Sequence, residues 1–158
     1  MNAVTSSIMS KELHLNYTLD FNRSRKDAFA YLKEVSNRKA FMTIIDETKI
    51  THHVKGDNLK GLRFKETTHF LGFDMHLEYE IVDFKKGHLI VTACNDGPFY
   101  PCMGITLTEV DDESCRGEVE LKINTEALKL MPSFVLKPAV EAVVKPILKK
   151  LVHCINES

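Results

Sequence analysis

The chain has 158 residues, 44% hydrophobic and 27% charged, with a formal net charge of -1. That balance fits one soluble domain which buries roughly 70% of its unfolded surface, and so needs no disulfide or metal to hold its core. It excludes an overall field that attracts nucleic acid, and the short basic clusters at 23–26 and 145–150 read as solvated helix faces.

Residues 1–10, MNAVTSSIMS, carry neither a basic leader nor a long apolar core and read as a flexible N-terminus ahead of a single domain spanning 11–158. No apolar run approaches the roughly 20 residues of a transmembrane helix. Cys94, Cys102, Cys115 and Cys154 show no CxxC and no regular spacing, which points to reduced thiols. A cytoplasmic location is the expectation from these features.

The first element is ELHLNYTLDF. Leu13, Leu15, Tyr17, Leu19 and Phe21 alternate with polar residues, the pattern of a half-buried strand. The period then changes: Ala28, Phe29, Leu32 and Val35 share a helical face, with Ser24 or Asn22 as N-cap and Asp27 in the first turn. A second short helix is expected over Asn37 to Met42. Six strands follow, at 47–54, 61–70, 74–84, 88–95, 99–110 and 114–124, separated by turn-forming clusters. Lys85-Lys86-Gly87 suits a three-residue hairpin loop with a left-handed Gly87. From Ser133 to Ile155 apolar residues recur at three- and four-residue steps, marking a long amphipathic helix. Ser133 is its expected cap, and Pro146, inside the pattern, is expected to kink it. The order is α+β: an antiparallel seven-stranded sheet curved around a C-terminal helix.

The stretches LNYTLDFNRSRKDAFAYLKEVSNRKAF, KGLRFKE and FDMHLEYEIVDFKKGHLIVTA, with the terminal amphipathic helix, resemble the START-like (SRPBCC) superfamily of helix-grip proteins. In pattern they are most similar to its polyketide cyclase/dehydrase-like members. The resemblance spans about residues 11 to 155 and lies in element order rather than in a catalytic signature. It implies an apolar cavity between the sheet and the last helix and a hydrophobic small molecule as ligand, with some members acting as enzymes or chaperone-associated modules; no cofactor is expected. The chain departs from the ring hydroxylases of that group in lacking a CxH…CxxH set.

Residues 61 to 84 read as a hairpin turning about Gly72-Phe73, in which opposed residue numbers sum to 145. Phe70 then faces Met75, Thr68 faces Leu77, Glu66 faces Tyr79, and Phe64 faces Ile81 on the apolar side. Charged residues fall on the other side, where His69 and His76 are opposed. Two imidazoles are too few for zinc, so no metal is expected. Glu66 and Thr68 are inward polar groups. A buried carboxylate must be hydrogen-bonded, cation-paired or neutral. Three roles stand for Glu66: a structural group satisfied by Tyr17, Tyr79 or water; a polar anchor for an apolar ligand; or a general acid or base. His52, in phase with Ile50 and Val54, is expected to line the interior, where it would complete an acid–base pair with Glu66.

In NDGPFYPCMG, Gly97-Pro98 and Pro101 interrupt the strand pattern, so Phe99 and Tyr100 project from a loop at the cavity mouth, unless the segment is a simple irregular hairpin. The remaining cavity wall is assigned to Phe41, Met42, Phe64, Phe70, Met75, Leu77, Tyr79, Met103, Ile105, Val140 and Val144. Nucleotide, zinc-protease and serine-hydrolase motifs are absent. Three functions remain: a binder of a lipid-like or aromatic molecule anchored by Glu66, His52 and Tyr79; a cyclase, dehydratase or isomerase using Glu66 and His52; or a module that binds a protein partner over a filled cavity. The sequence carries no feature that sets the oligomeric state.

Overall fold

The alternation in residues 12–21 becomes strand β1 (Glu12–Phe21) in the computed structural model, which describes residues 12–158. The flexible terminus expected at residues 1–10 lies outside the described residues. Two short helices follow, α1 (Arg25–Leu32) and α2 (Arg38–Phe41), joined by a 3₁₀ turn at Val35–Asn37. The Ser24 side chain caps α1 by accepting from the Asp27 N–H at 3.1 Å.

The next six strands are β2 (Ile45–His52), β3 (Arg63–Phe70), β4 (Phe73–Lys85), β5 (Leu89–Cys94), β6 (Cys102–Asp111) and β7 (Ser114–Asn124). All pairings are antiparallel, in the order β1-β7-β6-β5-β4-β3-β2, and the sheet is open rather than closed. Helix α3 (Ser133–Asn156) crosses its inner face. The β4–β5 loop has the expected three residues and a left-handed Gly87 (φ 78°), but lies one position later: Lys85 pairs with Leu89, so the loop is Lys86-Gly87-His88.

One register differs from the sequence reading. In the β3–β4 hairpin, Phe64 opposes Tyr79, Glu66 opposes Leu77, Thr68 opposes Met75 and Phe70 opposes Phe73. The turn lies one residue earlier than expected: Leu71 and Gly72, both with positive φ (50° and 81°), form the two-residue loop, and its twist suits a hairpin. The shift is two residues, so each side chain keeps its face. It separates the two histidines: His69 now opposes Asp74, and His76 opposes Thr67.

Helix α3 buries Leu136, Val140, Ile147, Leu148, Leu151 and Ile155 against the sheet. Pro132, not Ser133, occupies its cap position, and the helix runs on through Pro138 and Pro146. The Asn22 N–H donates to Asn156 Oδ1 at 2.8 Å, tying the helix end to the end of β1. Tyr17 on β1 donates its hydroxyl to Glu141 at 3.4 Å.

Candidate functional site

Between the sheet and α3 lies a cavity of about 90 Å³. Its wall comes from β3 and β4 (Glu66, Thr68, Phe70, Met75, Leu77, Tyr79), from Met42 after α2, and from Phe99 and Met103. Val143, Val144, Ile147 and Leu148 of α3 form the opposite side. Apolar residues dominate. The polar side chains among them are Glu66, Thr68 and the Tyr79 phenol.

Glu66 is 2% exposed and its charge is met from α2. Arg38 Nε donates to Oε2 at 2.6 Å and Nη2 donates to Oε1 at 3.1 Å, a bidentate ion pair. Thr48, opposite Glu66 on β2, donates its hydroxyl to Oε2 at 3.3 Å. Aromatic rings complete the setting: the guanidinium carbon lies 5.0 Å from the Phe64 centroid and 5.3 Å from that of Tyr79. Those two rings stack at 5.3 Å with planes 7° apart. Burial alone would pull the Arg38 pKa down, but the charge and hydrogen bonds of Glu66 outweigh it and raise it above the ordinary value. Burial, the largest influence, pushes the Tyr79 phenol up; Arg38 opposes this and Glu66 adds to it. The phenol stays protonated across the physiological range.

The partner of Glu66 is thus neither Tyr17, which is bonded to Glu141, nor a tyrosine at all. Arg38 is the residue that reading the sequence missed. Its signal was present: Val35, Arg38 and Phe41 recur at three-residue steps and all three are buried, so the arginine occupies an inward position of a helical turn. An inward carboxylate also requires a cation within reach.

Thr68 is 2% exposed, lines the cavity, and has no hydrogen-bond partner for its buried Oγ1. Phe99 is buried, packing edge-on against Phe70 at 5.1 Å and Phe73 at 5.2 Å. Tyr100 turns the other way and is 50% exposed, because its backbone takes a φ of 43°.

Several expected wall residues sit elsewhere. His52 is exposed: the β2–β3 register skips one residue between Ile50 and His52, so His52 opposes outward-facing Arg63. The proposed pairing of Glu66 with His52 is therefore broken by a bulge. Phe41 and Ile105 border a separate cavity of about 30 Å³, with Met103 bordering both. Phe64 is fully buried with Arg38 and Tyr79 against its ring, and Val140 is fully buried in the core; neither lines the cavity. On the outer face, His69 lies between Asp74 and Asp46, with a ring nitrogen 2.7 Å from each. Among the described residues no group of three His, Cys, Asp or Glu is placed to hold a metal ion, and no helix is long and apolar enough to cross a membrane.

No family model matches the chain, and no curated protein matches it. Solved structures do. A START superfamily protein from Mycobacterium smegmatis is 11% identical with a TM-score of 0.76, over 91% of this chain and 97% of that one. The Zhui aromatase/cyclase from Streptomyces sp. R1128 is 10% identical with a TM-score of 0.74, over 92% and 94%. Norcoclaurine synthase from Thalictrum flavum is 12% identical with a TM-score of 0.64, over 92% and 95%. At such identities the likeness speaks for architecture alone. With its open seven-stranded sheet, the two short helices after β1 and the long C-terminal helix against the inner face, this chain has the START-like helix-grip fold.

Proposed function

We propose that the protein binds a hydrophobic small molecule in the cavity between the sheet and α3. The observation that carries this reading is an apolar wall interrupted by three buried polar side chains, Glu66 and Thr68 on β3 and the Tyr79 phenol on β4. Binding pockets commonly combine a greasy wall with a few polar groups that fix orientation. At about 90 Å³ the cavity is smaller than the roughly 150 Å³ engineered cavity that admits benzene. Met42, Met75 and Met103 stand in its wall, and unbranched thioether side chains change rotamer readily, so a larger ligand is accommodated by their movement.

Two of the similar structures are named as enzymes, an aromatase/cyclase and a synthase. The geometry around Glu66 favours a binding role over acid–base chemistry. Arg38 holds both carboxylate oxygens, and His52 is on the opposite face of the sheet.

Native mass spectrometry of the gently purified protein, with solvent extraction of any adduct, tests the proposal. The expected result is an apolar adduct that is lost in a Val144→Trp variant with a filled cavity. A bare polypeptide mass, together with no rise in Tm from a panel of long-chain alcohols, sterols and polycyclic aromatics, would overturn it.

A further inference from the structure

Thr68 and Glu66 are two groups of this cavity whose hydrogen-bonding capacity is incompletely used. A buried hydroxyl without a partner costs free energy, so its persistence in a fully enclosed position calls for a reason. Thr68 Oγ1 is in that state, on a residue 2% exposed. A carboxylate offers about four acceptor positions. On Oε2 of Glu66, Arg38 Nε and Thr48 Oγ1 take two; on Oε1, Arg38 Nη2 takes one. One acceptor position is left, on Oε1. Glu66 and Thr68 are two apart on β3, so they share the inner face, their Cα atoms roughly 7 Å apart.

Resting on the cavity reading above, we infer that the ligand is an uncharged apolar molecule carrying a hydroxyl, which accepts from Thr68 Oγ1–H and donates to Glu66 Oε1. A hydroxyl satisfies both groups through a single oxygen, because it is donor and acceptor at once. A charged headgroup does not fit. The Arg38–Glu66 pair is already neutral as a unit, so a carboxylate would lie unpaired against Glu66, and an ammonium would bring a second cation toward Arg38. Either would be a buried charge without compensation. A plain hydrocarbon fills the cavity but leaves Thr68 unsatisfied.

Phenol, toluene and benzoate test the inference, since phenol and toluene differ by hydroxyl against methyl at nearly equal size. Binding to the full chain is followed by methyl NMR of Leu77, Val143 and Val144. Phenol and toluene are expected to shift these signals and benzoate to leave them unmoved. Thr68→Val should weaken phenol about three- to tenfold and leave toluene unchanged, while Thr68→Ser keeps the phenol affinity. Equal phenol affinity in Thr68→Val and the parent protein, or benzoate binding as tightly as phenol, would overturn the hydroxyl assignment with the cavity reading intact. Failure of both phenol and toluene to move any of the three methyl groups would remove the cavity reading, and the inference with it.

Discussion

Arg38 and Glu66 stand 28 residues apart in the chain and meet through two hydrogen bonds of 2.6 and 3.1 Å, with both side chains buried. The pair fastens α2 to β3 beside the cavity. Removing one member leaves the other as an uncompensated buried charge. Arg38→Met is therefore expected to destabilise the protein by about 3–5 kcal/mol. The double variant Arg38→Met/Glu66→Leu should lose much less than the two single variants added together. Urea unfolding of the four proteins measures this, and strict additivity would show that the two side chains are not energetically coupled.

Thr68 gives a stability effect of opposite sign. Its buried hydroxyl has no protein partner, so Thr68→Val should raise the stability of the ligand-free protein by about 1 kcal/mol. A loss of stability in the same unfolding assay would mean that the hydroxyl is satisfied within the folded chain.

The outer face carries a pH-dependent contact. Hydrogen bonds from His69 first to Asp74 and then to Asp46, with the charge of Asp46, raise the imidazole pKa above its ordinary 6.5. A raised pKa in the folded state stabilises the protein below the unfolded value, and that contribution is lost as pH rises through the folded value. The His69 midpoint by NMR should accordingly lie above 6.5 and fall in Asp74→Asn. An unchanged midpoint in that variant would remove Asp74 as the main cause. The ring is exposed, so solvent screens the contact and its contribution to stability is small.

Gly117 lies against a phenyl ring. A Cβ there would stand 2.8 Å from Cε2 of Phe21 and 3.5 Å from Cδ2 of Leu107. Both neighbours are only 1% exposed, so neither has room to retreat. Gly117→Ala is expected to cost about 1–3 kcal/mol through overpacking. A thermal melt within a degree of the parent would show that the ring moves aside.

The architecture was legible in the sequence because each element announced its own period. Leu13 to Phe21 alternate, the face from Leu136 to Ile155 recurs at helical steps, and the clusters between strands carry turn residues. Much of the cavity wall followed from those phases, including Glu66 and Thr68, Phe70, Met75, Leu77 and Tyr79. What stayed hidden were departures from regular geometry. A bulge after Ile50 turns His52 outward, and alternation cannot register an inserted residue. The hairpin at Leu71-Gly72 asks leucine to adopt a positive φ, so composition pointed to a turn one residue later, at Gly72-Phe73. Arg38 was obscured by its charge. A cation in a short helix reads as solvated until a buried carboxylate is placed beside it. Val140 had the right helical phase and the wrong depth, since a cavity occupies part of an apolar face and packing decides which part.

The strand order has a consequence for how the protein is made. Strands β1 and β2 are near neighbours in sequence yet occupy opposite edges of the sheet, and β1 pairs with β7, with Glu12 opposite Asn124. During synthesis β1 leaves the ribosome before the other six described strands and finds its partner only when β7 emerges. Until then the apolar side of ELHLNYTLDF is without its sheet. The β2 to β7 meander can assemble hairpin by hairpin in the meantime, and closure by β1 waits on a contact that spans more than a hundred residues. The nascent chain thus has an interval in which its N-terminal strand is open to chaperones or to the matching strand of another copy. The length of that interval is set by translation speed rather than by the stability of the finished fold.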